Sequence, residues 1–238
     1  MRSEPIVILT RPRGENEPLA ARLAAAGIST REIPCVELRP LDDPRPLHDA
    51  IAALTGDDLL VITSRAGARA VAIAMAGAAC AAPVAAVGTA TAAACREAHL
   101  HVIFMPSVAS GRALANEVPL PRGSILLARS DRASPEPLAL LAERRATVGE
   151  IVAYRTVSIA PAEAIPEHAI AVFASPSAVD GFALSGARLE GAIAIGETTA
   201  ARVRSVLGIE PRVAGPGDAD IELAARDHVG GAHAIASR

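Results

Sequence analysis

Hydroxyls, glycines and arginines recur in short clusters along this chain, each directly after an apolar run and directly before an Ala- or Leu-rich stretch. The clusters read Thr10-Arg-Pro-Arg-Gly14, Thr63-Ser-Arg65, Gly88-Thr-Ala-Thr91, Ser107 to Gly111, Arg129 to Ser134, Ser175-Pro-Ser177, Gly196-Glu-Thr-Thr199 and Gly215-Pro-Gly217. They supply hydrogen-bond donors and hardly any acids or bases. At a helix N-terminus the backbone N–H groups are unpaired and the dipole is positive, so such turns favour anions. Any one Ser or Thr there serves equally as a plain helix N-cap. The set argues for more than capping. A phosphate fills one or two such turns, whereas donors spread over both halves of the chain suit an extended ligand carrying several carboxylates or phosphates.

Other chemistry is sparse. Tyr154, the single Tyr, lies in Ile151-Val-Ala-Tyr-Arg-Thr156; a phenol with a pKa near ~10 is a proton donor at neutral pH, and an amphipathic packing residue is the alternative. The six His show no metal-ligand spacing beyond His99-x-His101, so no metal is expected. Gly215-Pro-Gly217 lacks the third glycine of a dinucleotide fingerprint, and no serine sits in a nucleophile elbow. All 23 basic residues are Arg, which removes Schiff-base and P-loop chemistry. Cys35, Cys80 and Cys95 are odd in number and lie in apolar surroundings, as buried thiols of a reducing compartment do.

These clusters need strands before them and helices after them. Candidate strands are Ile6–Leu9, Leu59–Ile62, Val84–Val87, Val102–Phe104, Ile125–Leu127, Ile151–Tyr154, Ile170–Phe173, Ala192–Ile195 and Arg212–Ala214. Leu19, Leu23 and Ala26 make one apolar stripe on a helix over 17–26, and 136–145 resembles it. The alternation is that of a parallel α/β protein, whose ligands lie beyond the carboxyl ends of the strands. The chain also repeats. Ile8-Leu-Thr-Arg11 is echoed by Leu126-Leu-Ala-Arg129, Val61-Ile-Thr-Ser64 by Val172-Phe-Ala-Ser175, and Val87-Gly-Thr-Ala-Thr-Ala92 by Ile195-Gly-Glu-Thr-Thr-Ala200. Ordered matches at offsets of 118, 111 and 108 residues predict two copies of one βα design, whose facing would make a cleft.

A length of 238 residues exceeds the usual single domain of ~100–200, so two domains are expected. A net charge of −3 with four aromatic residues argues against a nucleic-acid partner. The uncharged stretch Ala70 to Cys95, broken by Gly77, Pro83 and Gly88, reads as helix, strand, helix and not as a membrane span. The N-terminal apolar run is too short for a signal peptide, and the expected location is the cytoplasm.

Taken together, the motifs resemble those of the uroporphyrinogen-III synthase family: Thr10-Arg-Pro12, Thr63-Ser64, Val87-Gly-x-x-Thr-Ala92, Glu150-Ile-Val-Ala-Tyr-Arg-Thr156, Phe173-Ala-Ser-Pro-Ser-Ala178 and Ile195-Gly-x-x-Thr-Ala200, in order, across nearly the whole chain. Ala174 departs from the family, which usually carries Thr there. The resemblance implies hydroxymethylbilane as substrate, a linear polycarboxylate that fits the extended anion read from the turns. It implies closure to uroporphyrinogen III with inversion of ring D and loss of water, by a lyase without cofactor acting as a monomer, with a transient contact to the preceding enzyme. Tyr154 would assist departure of the hydroxyl. Ser64, Ser175, Ser177, Gly196 and Thr199 would hold carboxylates, with Gly88 and Thr91 as counterparts in the other copy and Thr10, Arg11, Thr63 and Arg65 beside them. The implied fold has two similar domains, each a parallel β-sheet flanked by helices, joined by a two-stranded β-ladder hinge. Residues 1–34 with 158–238 would form one domain, 39–153 the other, and 35–38 with 154–157 the linker strands. A non-catalytic two-domain protein that closes on a small anion is the rival reading from another class, and a phosphate-handling transferase a third.

Overall fold

The structure is a computed structural model that describes residues 5–215 and 217–236, with side chains as far as Val229. The first four residues, Pro216 of the last Gly-rich turn and the side chain of His233 lie outside the described residues. The chain opens with β1 (Ile6–Leu9), α1 (Glu17–Ala25), β2 (Thr30–Glu32) and β3 (Val36–Arg39). Then come α2 (Arg45–Ala52), β4 (Leu59–Ile62), α3 (Arg65–Met75), β5 (Val84–Ala86), α4 (Thr89–Glu97), β6 (Val102–Phe104) and α5 (Gly111–Glu117). After these follow β7 (Ile125–Ser130), α6 (Glu136–Glu143), β8 (Val148–Ser158), β9 (Ala169–Phe173) and α7 (Pro176–Ala183). The last elements are β10 (Gly191–Ala194), α8 (Glu197–Leu207), β11 (Arg212–Val213) and α9 (Asp218–Ala236).

Two compact units result, one of Met1–Glu37 with Val157–Arg238 and one of Leu38–Thr156. The sheet of the first runs β11-β10-β9-β1-β2, and the second sheet runs β3-β8-β7-β4-β5-β6. The pairs within the first sheet, and those joining β8, β7, β4, β5 and β6, are parallel. Read from the other edge, the first sheet is β2-β1-β9-β10-β11, and it matches β8-β7-β4-β5-β6 strand for strand. The sequence echoes fall on these equivalent strands: β1 with β7, β9 with β4, β10 with β5. Each sequence copy therefore contributes strands to both units, the first giving β1 and β2 to one and β4 to β6 to the other. The second copy does the reverse.

Parallel strands covered on both faces are apolar at consecutive positions, and β4, β5, β9 and β10 are buried throughout. In the second unit Leu60, Ile62, Val84 and Ala128 pack with Leu47, Ile51, Val71 and Met75 on one face, while Leu59, Val61, Ala85 and Leu127 pack with Leu114 and Leu141 on the other. In the first unit Val7, Leu9, Ile170, Val172 and Ile193 meet Leu19 and Leu23 of α1 and Ile221 of α9. Two strands depart from the expectation. β2 was not among the candidates, because Thr30-Arg-Glu32 is a polar sheet edge, part-buried to exposed, with no apolar period. β8 joins the expected strand Ile151–Tyr154 to the expected linker strand 154–157 and begins earlier than either, since Val148 to Glu150 already ladder onto Ile125 to Leu127. The stretch from Ala70 to Cys95 is helix, strand, helix as read.

Candidate functional site

Both units present their hydroxyl and glycine turns at the carboxyl ends of the strands, and equivalent turns are built alike. Ser64 after β4 and Ser175 after β9 are N-caps in extended conformation, each accepting the backbone N–H three residues on, from Gly67 at 2.9 Å and from Ala178 at 3.3 Å. That bond satisfies one orphan donor of each helix. Gly88 after β5 and Gly196 after β10 precede α4 and α8 without any side-chain cap. These two helices therefore keep more first-turn N–H groups for a ligand than the serine-capped pair do, and α7 keeps fewest because Pro176 has no N–H. Thr91 and Thr199 occupy the same third position of their helices, 5% and 4% exposed. A Cβ on Gly196 would meet nothing within 4 Å, while one on Gly88 would stand 2.9 Å from Ala109 Cβ.

In the second unit the structure brings Ser64 and Tyr154 together, with Ser64 Oγ and Tyr154 OH 2.9 Å apart. Thr63 and Arg65 flank Ser64, and Tyr154 is part-buried against the core face that carries Ile62 and Ala128. Ser64 Oγ accepts from Gly67 N–H and still has its own proton and a second lone pair, so it can donate to the phenol oxygen. Either hydroxyl can be the donor of this contact, and when Ser64 donates, the phenol proton is left for another acceptor.

Thr10 and Arg11 have partners within the protein. Thr10 is fully buried and its hydroxyl donates to Val172 O at 2.6 Å, tying the end of β1 to β9. Arg11 pairs with Asp218 at 2.9 Å, at the start of α9. Ser177 is buried, and its carbonyl accepts from Ser158 Oγ at 2.8 Å. Sequence reasoning also passed over the bracing of the turn after β7. There Arg129, 6% exposed, donates through Nε to Glu150 Oε2 at 2.9 Å and through Nη1 to Ser134 O at 2.5 Å. An Arg at the end of an apolar strand, with a Glu opening the next strand, was the available signal. No group of His, Cys, Asp and Glu among the described residues could hold a metal ion. Burial pushes the Cys35 thiol up to about 12 and that of Cys95 to about 11, so both are neutral thiols.

The model of the family described as uroporphyrinogen-III synthase HemD matches residues 17–220 of this sequence. The chain belongs to the uroporphyrinogen-III synthase family. The matched span includes the turns at Ser64, Gly88, Ser175 and Gly196 and the strand that carries Tyr154. A stretch of 65 residues is 38% identical to uroporphyrinogen-III synthase of Synechococcus elongatus, covering 27% of this chain and 25% of that protein. The chain thus aligns with about a quarter of the length of that curated relative. A mutant uroporphyrinogen III synthase from Thermus thermophilus superposes with a TM-score of 0.57 at 20% identity, over 94% of this chain and 98% of the other. The enzyme of Helicobacter pylori gives 0.55 at 19%, over 94% and 99%. At such identities the likeness is one of fold, an α/β architecture of parallel sheets flanked by helices. No helix among the described residues is long and apolar enough to cross a membrane.

Proposed function

We propose that this chain closes hydroxymethylbilane into uroporphyrinogen III, inverting the last pyrrole with loss of water. The observation that carries the reading is Tyr154 OH on Ser64 Oγ at 2.9 Å, at the N-terminus of α3. Ser64 donates to the phenol oxygen, and Tyr154 donates its proton to the terminal hydroxyl of the substrate, which leaves as water. The electron pair of the neighbouring pyrrole forms the azafulvene left behind. That electrophile is attacked by the substituted carbon of the last pyrrole, and the spiro intermediate reopens and recloses inverted. The proton lost on closure returns the phenolate to the phenol. A leaving group expelled by an electron-rich pyrrole needs little acid strength, so orientation of a reactive species is the larger task. The uncapped first turns of α4 and α8, with the donors around Ser64 and Ser175, take carboxylates of the substrate, each unit through its own turns.

As part of the same proposal, the enzyme is a cytoplasmic monomer that needs no cofactor and makes a transient contact with the enzyme that supplies its substrate. Segments 35–38 and 154–157 act as its hinge. Incubation with freshly made hydroxymethylbilane, with the product isomers resolved, tests the reaction. Type III product at a rate proportional to protein is expected. Type I alone, formed at the spontaneous rate, would leave a non-catalytic anion-binding protein.

A further inference from the structure

β8 carries Tyr154 on a register slip. Residues Ile125 to Arg129 of β7 pair in step with β8 up to Val152, but Ser130 pairs with Tyr154, so Ala153 has no partner on β7. Side chains alternate along a strand, which would put Ile151 and Ala153 on one face and Tyr154 on the other. In fact Ile151, Ala153 and Tyr154 all lie against the same core face. The extra residue turns Tyr154 over to the side of the sheet on which Ser64 stands, the re-aiming that a bulge beside a functional site performs.

β7 ends at Ser130 while β8 runs on to Ser158. Tyr154 is the last residue of β8 with a partner on β7, and the backbone of Thr156 on that side has no strand residue opposite it. Asp131 closes both positions, its N–H donating to Tyr154 O at 3.2 Å as the last bond of the ladder and its Oδ1 accepting from Thr156 N–H at 2.8 Å. Ser130 adds a hydroxyl contact to Thr156 Oγ1 at 2.6 Å and donates to Asp131 Oδ1 at 3.1 Å. The carboxylate stands at the exposed edge of this clamp. We infer that Asp131 is a positioning residue for Tyr154, closing the bulged end of β8 so that the phenol stands on Ser64 and not on the opposite face. The consequence for turnover rests on the function proposed above; the consequence for the tyrosine itself does not.

That separation makes the inference testable, because the chain has one Tyr and no Trp and its near-ultraviolet circular dichroism in the tyrosine region reports Tyr154 alone. Asp131→Ala is expected to lose most of that signal with the far-ultraviolet spectrum unchanged. Both variants keep the backbone donor to Tyr154 O, but only Asp131→Asn keeps an acceptor for Thr156 N–H, and it should restore the signal. With hydroxymethylbilane, Asp131→Ala should lower kcat about tenfold with KM within about twofold, and add no loss in a Tyr154→Phe background. A wild-type tyrosine signal in Asp131→Ala, failure of Asp131→Asn to restore it, or additive losses in the double variant would each overturn the inference. The expected spectra together with a wild type that converts no hydroxymethylbilane would uphold the positioning and discard the proposed reaction.

Discussion

A Cβ on Gly181 would stand 2.0 Å from the carbonyl oxygen of Cys35 and 2.7 Å from that of Ile159. Those two backbones are joined by the bond from Ile159 N–H to Cys35 O at 3.0 Å, close to where the chain leaves and re-enters the first unit. Helix α7 can lie on them only because residue 181 has no side chain. Gly181→Ala therefore forces backbone apart and should destabilise the first unit by roughly 3 kcal/mol. Denaturant unfolding at neutral pH measures this, and a loss below about 0.5 kcal/mol would refute the close contact.

Gly196→Ala should behave oppositely. Its backbone is extended, a conformation any residue adopts, and the added methyl meets open space. Stability should stay within about 0.5 kcal/mol of wild type. The methyl projects where the first turn of α8 would receive a carboxylate, so KM for hydroxymethylbilane should rise roughly tenfold, as for one weakened charged hydrogen bond. Gly88→Ala, which presses on Ala109 Cβ, should also cost about 1 kcal/mol of stability. An unchanged KM in Gly196→Ala would remove α8 from the anion site.

Ser64→Ala and Ser175→Ala each remove an N-cap and should each cost about 1 kcal/mol in unfolding free energy. Their effects on kcat should differ. Ser64 also holds the phenol, so its loss should lower kcat about tenfold, whereas Ser175→Ala acts mainly through KM. Equal kcat values in the two variants would make Ser64 an ordinary cap.

Four bonds converge on the carboxylate of Asp58, from the backbone N–H and hydroxyl of Ser124 and of Thr55, at 2.7 to 2.8 Å. The backbone N–H of Ser124 is the largest cause, followed by the Thr55 bonds, and together they hold the carboxyl well below its ordinary range. Since the folded value lies below the unfolded one, near ~3.9, the stabilisation is complete above that pH and is lost as the pH falls toward the folded value. Urea midpoints measured from neutral pH into strong acid should fall more steeply below about pH 4 in wild type than in Asp58→Asn. Parallel acid limbs would contradict this.

What the sequence made legible follows from how locally each feature is encoded. Leu59–Ile62 and Ile170–Phe173 are strands because runs of consecutive apolar residues need cover on both faces, and the Ser and Gly that end them sit where a chain turns into a helix. Ser64 and Tyr154 could be named singly for the same reason. Their contact could not, since it spans 90 residues and depends on an unpaired Ala153 that no propensity announces. Thr10 shows the converse: a hydroxyl in the expected place is consumed by Val172 O, 162 residues away. The polar edge strand Thr30–Glu32 is held by pairing with β1 and carries no pattern of its own.

The proposed role of Tyr154, held on Ser64, is to act on the departing hydroxyl. Tyr154→Phe tests it most directly, removing one oxygen from a part-buried side chain and leaving the fold intact. With hydroxymethylbilane saturating and the products resolved by isomer, kcat should fall by about 10²-fold, the low end for general-acid help. KM should change less, because the phenol acts mainly in the transition state. Type III should still dominate the enzymatic product, since inversion depends on the donors that hold the substrate. Undiminished kcat in Tyr154→Phe would contradict the account and make the phenol a packing residue.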